Sequence, residues 1–283
     1  MGFRGQKGQI LLIVILAIIV ASTVGLSLAS RSVTSLRTST EEAQSQKALS
    51  AAEAGIELVM QGTPSTGTIN SGDSFSSQSS YHVTVAQPTG SSFEIDDGNT
   101  ISKDEGVDVW FVNHNSDGST DQSSYQSYSH LNLYWGSVSE THCNTAAIEV
   151  ILVTKDTLGS IQTRKYAYDS CLSHNNYFAS AGFGTYPLQG TKATFVNKAY
   201  VDLTGINNIV LMRVIPIYKD TVMGIDTCDS SGNSCTLSLP SQGYEITSTG
   251  TSGQAKHMLT VFRGYQQTYL PYISYGLFVA ADK

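Results

Sequence analysis

The run Asn113-His114-Asn115-Ser116-Asp117-Gly118-Ser119-Thr120-Asp121 sets oxygen-bearing side chains at alternate positions, then a glycine, then a further carboxylate. That is the spacing of a calcium loop, in which amides and carboxylates coordinate the ion and the glycine makes the sharp turn. On this reading Asn113, Asn115, Asp117 and Asp121 are the ligands, and Ca2+ is the one cofactor the sequence suggests. Only two of the four are acidic, Asn113 stands where an Asp is usual, and no glutamate closes the loop. A hairpin turn accounts for the same residues, with Asp117-Gly118 supplying left-handed backbone.

Other reactive side chains are scattered. Six histidines, His82, His114, His130, His142, His174 and His257, include no pair at i, i+4 on a helix. There is no GxSxG, no P-loop and no nucleotide-binding glycine fingerprint, so no catalytic residue is assigned and the chain is read as a non-enzyme. Cys143, Cys171, Cys228 and Cys235 form no CxxC pair, which argues against a zinc knuckle or a thioredoxin-type site. Two disulfides, Cys143–Cys171 and Cys228–Cys235, are the economical reading for a head outside the cytoplasm; four buried thiols are the alternative. Tyrosines gather at Tyr125, Tyr128 and Tyr134 and again at Tyr265, Tyr269, Tyr272 and Tyr275. They suit either a sticky aromatic patch or ordinary strand packing with a wet hydroxyl.

The elements carrying these residues read as β-structure. Charged residues make up 14% of the 283, well below the usual quarter, and Ser, Thr, Gly, Asn and Tyr replace them. The net charge is −7, and no basic stripe of the kind that binds nucleic acid is visible. Runs rich in Val, Ile, Tyr, Phe and Thr predict strands at 81–86, 107–113, 131–135, 147–154, 162–168, 192–202, 208–218, 244–248, 258–263 and 276–280. Residues 81–283 are read as one β-rich head, and the Ser/Thr/Gly-rich 62–80 as a linker or extended edge.

The N-terminus is different. Ile10–Leu28 reads ILLIVILAIIVASTVGLSL without a charge, long enough at about 1.5 Å per residue nearly to cross a hydrocarbon core of about 30 Å. Arg4 and Lys7 precede it and no acidic residue occurs before Glu41, so the positive-inside rule keeps Met1 in the cytoplasm and sends the remainder across. An ordinary signal peptide ending at Ser27-Leu28-Ala29 and a plain signal anchor both use such a run. The residues after the run are helical too. Between Arg31 and Gln61 there is no proline and only one glycine, Gly55. Ala48, Ala52, Ile56 and Val59 share one helical face; Glu42, Gln46, Ser50, Glu53 and Glu57 share the opposite one. Gly62-Thr63-Pro64 ends the pattern, giving a predicted helix over 9–61 of about 80 Å.

Gly8 directly before the apolar run, with Lys7 ahead of it, resembles a prepilin peptidase site cut between Gly8 and Gln9. Ala51-Ala52-Glu53-Ala54-Gly55-Ile56-Glu57 resembles the segment ending the first helix of many minor pilins and pseudopilins. Looser likenesses to large minor-pilin heads occur at Leu211–Tyr218 and Gln242–Gly250. The resemblance to type IV pilins covers about the first sixty residues and implies an α+β fold: one long N-terminal helix, membrane-spanning then amphipathic, carrying a β-rich globular head. It implies a leader at 1–8, removal of which leaves a methylated Gln9, and a transmembrane part at about 10–28. It also implies a single-pass cytoplasmic-membrane protein, head outside, that later joins a cell-surface filament. Its partners would be prepilin peptidase, a pilus assembly platform, and other pilin subunits packed through Ala17, Ala21, Ser22, Gly25 and Ala29. Adhesion, motility and DNA uptake are the roles such filaments serve. A pseudopilin of a secretion or competence system shares the helix, and a membrane-anchored adhesive surface protein is the reading from another class. One departure stands out: Ile13 occupies the fifth mature position, where pilins commonly carry a glutamate, and subunits lacking it include those at filament tips.

Overall fold

The computed structural model describes residues 7–62, 64–70, 79–115, 117–156, 158–228, 235 and 237–265. The expected strand at 276–280, and Met1–Gln6 of the expected leader, lie outside these residues. The architecture is α+β: one helix, α1 (Lys7–Gln61), precedes fourteen described strands. In chain order these are β1 (Gly67–Asn70), β2 (Ser79–Ala86), β3 (Ser92–Glu94), β4 (Val107–Trp110), β5 (His130–Ser137), β6 (Ala147–Lys155) and β7 (Ile161–Asp169). Then come β8 (Ala179–Ser180), β9 (Gly182–Pro187), β10 (Thr194–Asp202), β11 (Ile209–Ile217), β12 (Met223–Asp226), β13 (Gly243–Ser252) and β14 (Ala255–Gly264). They form three sheets, ordered β1-β2-β13-β14, β3-β12-β5-β10-β9 and β4-β11-β6-β7-β8.

Two compact units divide the chain. The first holds residues 1–58, 68–83 and 247–259, that is, most of α1 with much of the first sheet. Within it the helix presents two unlike stretches. From Leu11 to Ala43 every residue is exposed. Further along, Ala48, Ala51, Ala52 and Gly55 are buried at spacings of three and four, the stripe expected of a packed helix. Glu42, Gln46, Ser50, Glu53 and Glu57 lie away from that stripe. The sheet comes so close that a Cβ on Gly250 of β13 would strike the backbone of Ala48 and Ala52. A Cβ on Gly55 would meet the Ser248 hydroxyl and sit 2.7 Å from Val83 Cγ2. His257 of β14 adds a 2.8 Å hydrogen bond to the Ser45 hydroxyl.

The second unit holds 59–67, 84–246 and 260–283. Its two five-stranded sheets share one core: Leu131, Leu133 and Trp135 of β5, Val201 of β10 and Ile225 of β12 pack with Ile148, Val150 and Leu152 of β6 and Met212 and Val214 of β11. Central β6 is covered on both faces, since Ile151 and Val153 belong to a second cluster with Trp110, Val112 and Leu211. A strand buried on both sides reads as a continuous apolar run rather than an alternation, and Ala147–Thr154 does so apart from Glu149 and Thr154. Glu149 is paired with Lys165 of β7 at 3.5 Å. Arg213 of β11 stands opposite Asp108 of β4 and grips it with Nε and Nη2 at 2.7 and 2.8 Å, both side chains almost wholly buried.

Valine at position 250 would force the helix backbone off β13, because the clashing atoms are main chain and cannot rotate away. We expect Gly250→Val to cost about 3 kcal/mol and to speed amide exchange over 44–57, read by hydrogen–deuterium exchange, while residues of β5 and β6 keep their protection.

Candidate functional site

Side chains from Leu11 to Leu28 are apolar and uncovered: the large ones range from 48% exposed at Val14 to 71% at Leu26. Among the described residues nothing covers this stretch, and by length and composition it is long and apolar enough to cross a membrane, as a signal sequence near an N-terminus also is. Within the stretch the Thr23 hydroxyl donates to the Val20 carbonyl at 2.8 Å, and beyond it Thr34, Thr38 and Thr40 donate to the Ser30, Thr34 and Leu36 carbonyls. Such back-bonding suits surroundings that offer no water.

Ala17, Ala21, Gly25 and Ala29 recur every fourth residue, with Ser22 beside them, so they make one shallow ridge along this stretch. Nothing lies within 4 Å of where a Gly25 Cβ would be. The expected cleavage point, Gly8 and Gln9, falls in the first turn of α1.

The 113–121 segment forms a hairpin-like turn. Asp121 N–H donates to the Asn113 carbonyl, and Gly118, with φ of +83°, bends the chain between them. Asp117 accepts from both the N–H and the hydroxyl of Ser119 (2.9 and 2.6 Å), and Asp121 likewise from Ser123. These bonds hold both carboxyls below their usual pKa, the side-chain hydroxyls contributing most. The turn therefore brings the four expected calcium ligands into one loop, with its own serines already bonded to both carboxylates. Among the described residues no three His, Cys, Asp or Glu gather into a metal-binding group.

His114, between two of those residues, turns inward. Its ring stacks on Tyr265 (centroids 3.8 Å apart, 20° between planes) and meets the Trp110 edge at 4.4 Å. Burial among these rings lowers its pKa from 6.5 to about 4. The other five histidines hydrogen-bond to Asn70, Cys228, Ser170, Asp169 and Ser45, in chain order. Of the singled-out tyrosines, Tyr128 and Tyr134 are buried and Tyr125 and Tyr265 pack partly buried against Trp110 and its neighbours. Tyr269, Tyr272 and Tyr275 lie outside the described residues. Sequence reasoning passed over the exposed ones: Tyr177 is 87% exposed and Tyr218 and Tyr200 each 48%.

Both cysteine pairs are disulfide-bonded, Cys143–Cys171 and Cys228–Cys235; residues 229–234 of the second loop lie outside the described residues. The two bridges share an anchor. Asp169 accepts the N–H of Cys171 at 2.8 Å, and Asp226 accepts the N–H of Cys228 at 3.0 Å, each carboxylate being almost fully buried. Asp169 also accepts from His174 and Asn176, and Asp226 from Asn132 and Tyr134. The signal, Asp-x-Cys, occurs twice in the sequence and was legible there. Compared with known proteins, the chain matches no family model, no curated protein and no solved structure.

Loop-closure entropy assigns about 3.5 kcal/mol to the bridge of sequence separation 28 and about 2.5 kcal/mol to that of separation 7. Cys143→Ser/Cys171→Ser should therefore lower the denaturant midpoint more than Cys228→Ser/Cys235→Ser. For His114, the unfolded chain takes up a proton near pH 6.5 and the folded one only near 4. Stability is thus fully present above about 6.5 and falls as pH drops toward 4, because the unfolded state binds more protons across that window. Denaturant titrations at several pH values should show this slope, and His114→Phe should flatten its share of it.

Proposed function

We propose that this chain is a type IV pilin-like filament subunit, held in the cytoplasmic membrane by α1 with its head outside and later incorporated into a filament through that helix. The observation carrying this reading is the single 55-residue helix, whose first part is apolar and uncovered and whose later part is locked onto a sheet. A cleaved signal peptide has no use for a helix that runs on without a break into a packed stalk. The Gly8–Gln9 junction supports the same reading, since it sits where prepilin peptidase would cut.

Removal of Met1–Gly8 would take away Arg4 and Lys7, the charges that hold an anchor in place. The helix would then leave lipid for other subunits' helices. Hydrocarbon tails are as apolar as leucine, so that exchange is driven by close packing, and the ridge of Ala17, Ala21, Gly25 and Ala29 lets backbones approach. Ile13 supplies no charge to pair with a neighbour's terminus, which favours a minor or tip position. The disulfides suit an extracytoplasmic head.

Mass spectrometry of the N-terminal peptide from cells should find a chain starting at Gln9, methylated on its amine. A start at Ser30 would make it an ordinary secreted protein, and an intact Met1 a permanently anchored one; either sinks the proposal. With processing established, Gly25→Leu should leave the membrane pool unchanged and reduce the sheared filament fraction by about tenfold.

A further inference from the structure

The second unit carries a groove of about 320 Å³ that neither the helix nor the disulfides use. Its floor and walls are largely apolar, formed by Phe93 and Val107 with Phe262 and Tyr265. Phe93 and Val107 are only partly buried and Phe262 is 39% exposed, so aromatic surface is open to a ligand, while the Tyr265 ring beside them is stacked on His114. Asp96 and Val107 line both this groove and a second hollow, which Thr100, Ser102 and Glu105 also line.

Its charge is of one sign. Glu94, Asp96, Asp97, Asp108 and Glu245 line the groove and Glu105 the hollow beside it, while among the described residues neither lining contains Lys or Arg. Asp108 is neutralised by a cation, and two other cations, Lys103 and Arg263, have partners outside both linings. Arg213 is closed on Asp108, Lys103 lies 3.6 Å from Asp104, and Arg263 donates to the Met60 and Gly62 carbonyls. Asp96 and Asp97 are also held side by side in left-handed backbone, at φ 55° and 54°. Asn99 fastens this turn by donating both its N–H and its side-chain amide to the Asp96 carbonyl. Two consecutive non-glycine residues in that region cost free energy, and such strain is kept where a surface is shaped for use.

Aromatic faces beside unneutralised carboxylates are complementary to a cation with an apolar stem. Nucleic acid and acidic polymers would be repelled. We propose that this groove binds an extended basic polypeptide segment of a partner protein. Arginine or lysine stems lie on Phe93 and Phe262, and their charged ends meet Asp96, Asp97 and Glu245. This goes beyond the filament reading and stands or falls independently of it, since it concerns the second unit alone and requires neither cleavage nor assembly.

The test uses the full chain in a non-ionic detergent and isothermal titration with an unstructured decapeptide alternating Arg and Gly. The peptide should bind, and raising salt from about 0.05 M to about 0.5 M should weaken it by about tenfold. The charge-neutral, near-isosteric Asp96→Asn/Asp97→Asn/Glu245→Gln variant should weaken binding by about tenfold, and Phe262→Ala should weaken it without altering the salt dependence. Unchanged circular dichroism would show both variants folded. The proposal is overturned if the peptide does not bind, if the triple variant binds as well as the parent, if a Glu-Gly peptide binds equally, or if spermine matches the peptide at equal charge.

Discussion

The contact on which the first unit depends is the meeting of two backbones, α1 at Ala48 and Ala52 with β13 at Gly250. A helix normally rides on a sheet at a distance set by its side chains. Here the side chains are methyl groups or nothing, and opposite them β13 has no Cβ at all. The result is a dense contact with little apolar area, held by dispersion between closely apposed main-chain atoms. Such packing tolerates no compromise in register. Gly55 and Gly253 repeat the device to either side, where a Cβ would run into Ser248 or Gln44. Ser45 and His257 then pin the same stretch with a hydrogen bond.

The second unit solves its own problem differently. Its apolar core is ample, with Trp135, Phe111 and the leucines and isoleucines of β5 and β6 fully buried. The difficulty there is polar: Asp226, Asp169, Asp108, Arg213 and Glu149 are all buried or nearly so. Each carboxylate is matched. Asp108 has a two-pronged guanidinium and Glu149 a lysine, while Asp169 and Asp226 each hold the backbone of a disulfide cysteine and the side chains around it. Buried ionised groups add little net stability against an apolar alternative, but removing one partner is costly. Their effect is to fix which strands meet and where each bridge leaves the sheet.

How much of this was readable depended on element length. The helix, from the apolar run to its Gly-Pro ending, was plain, and so were the long strands β6, β7, β10 and β11. Short β4, at Val107–Trp110, was legible too, but most of the other short strands were not. Ser92–Glu94 and Met223–Asp226 carry three or four residues each and acquire strand geometry only by pairing with β12 and β5. Gly182–Pro187 holds two glycines and a proline, residues that read as turn. The expected calcium spacing is also the spacing of nested Asx turns, because Asp or Asn two residues ahead of a serine can serve either purpose. Gly55 and Gly250 looked like interruptions within otherwise regular runs; their meaning lies in a contact between residues nearly two hundred positions apart, which no local pattern encodes.

The uncovered stretch of α1 poses an energetic question that any function must answer. Twelve large aliphatic side chains between Leu11 and Leu28 stand at 48% exposure or more. Covering them is worth on the order of 10–20 kcal/mol, comparable to the whole stability of a domain. In the proposed function lipid covers them first and other helices of the same kind later, and between these two the apolar term nearly cancels. On the proposed reading, that near-cancellation is what allows one segment to serve first as an anchor and then as a filament core. The choice between the two states falls to short-range packing at Ala17, Ala21, Gly25 and Ala29, and to the loss of Arg4 and Lys7, rather than to hydrophobicity itself. With Ile13 in place of an acid, no buried charge has to find a partner on the way in, so entry is easier but less discriminating. On the proposed reading, such a subunit would take a place that needs no defined neighbour on one side, as at the end of a filament.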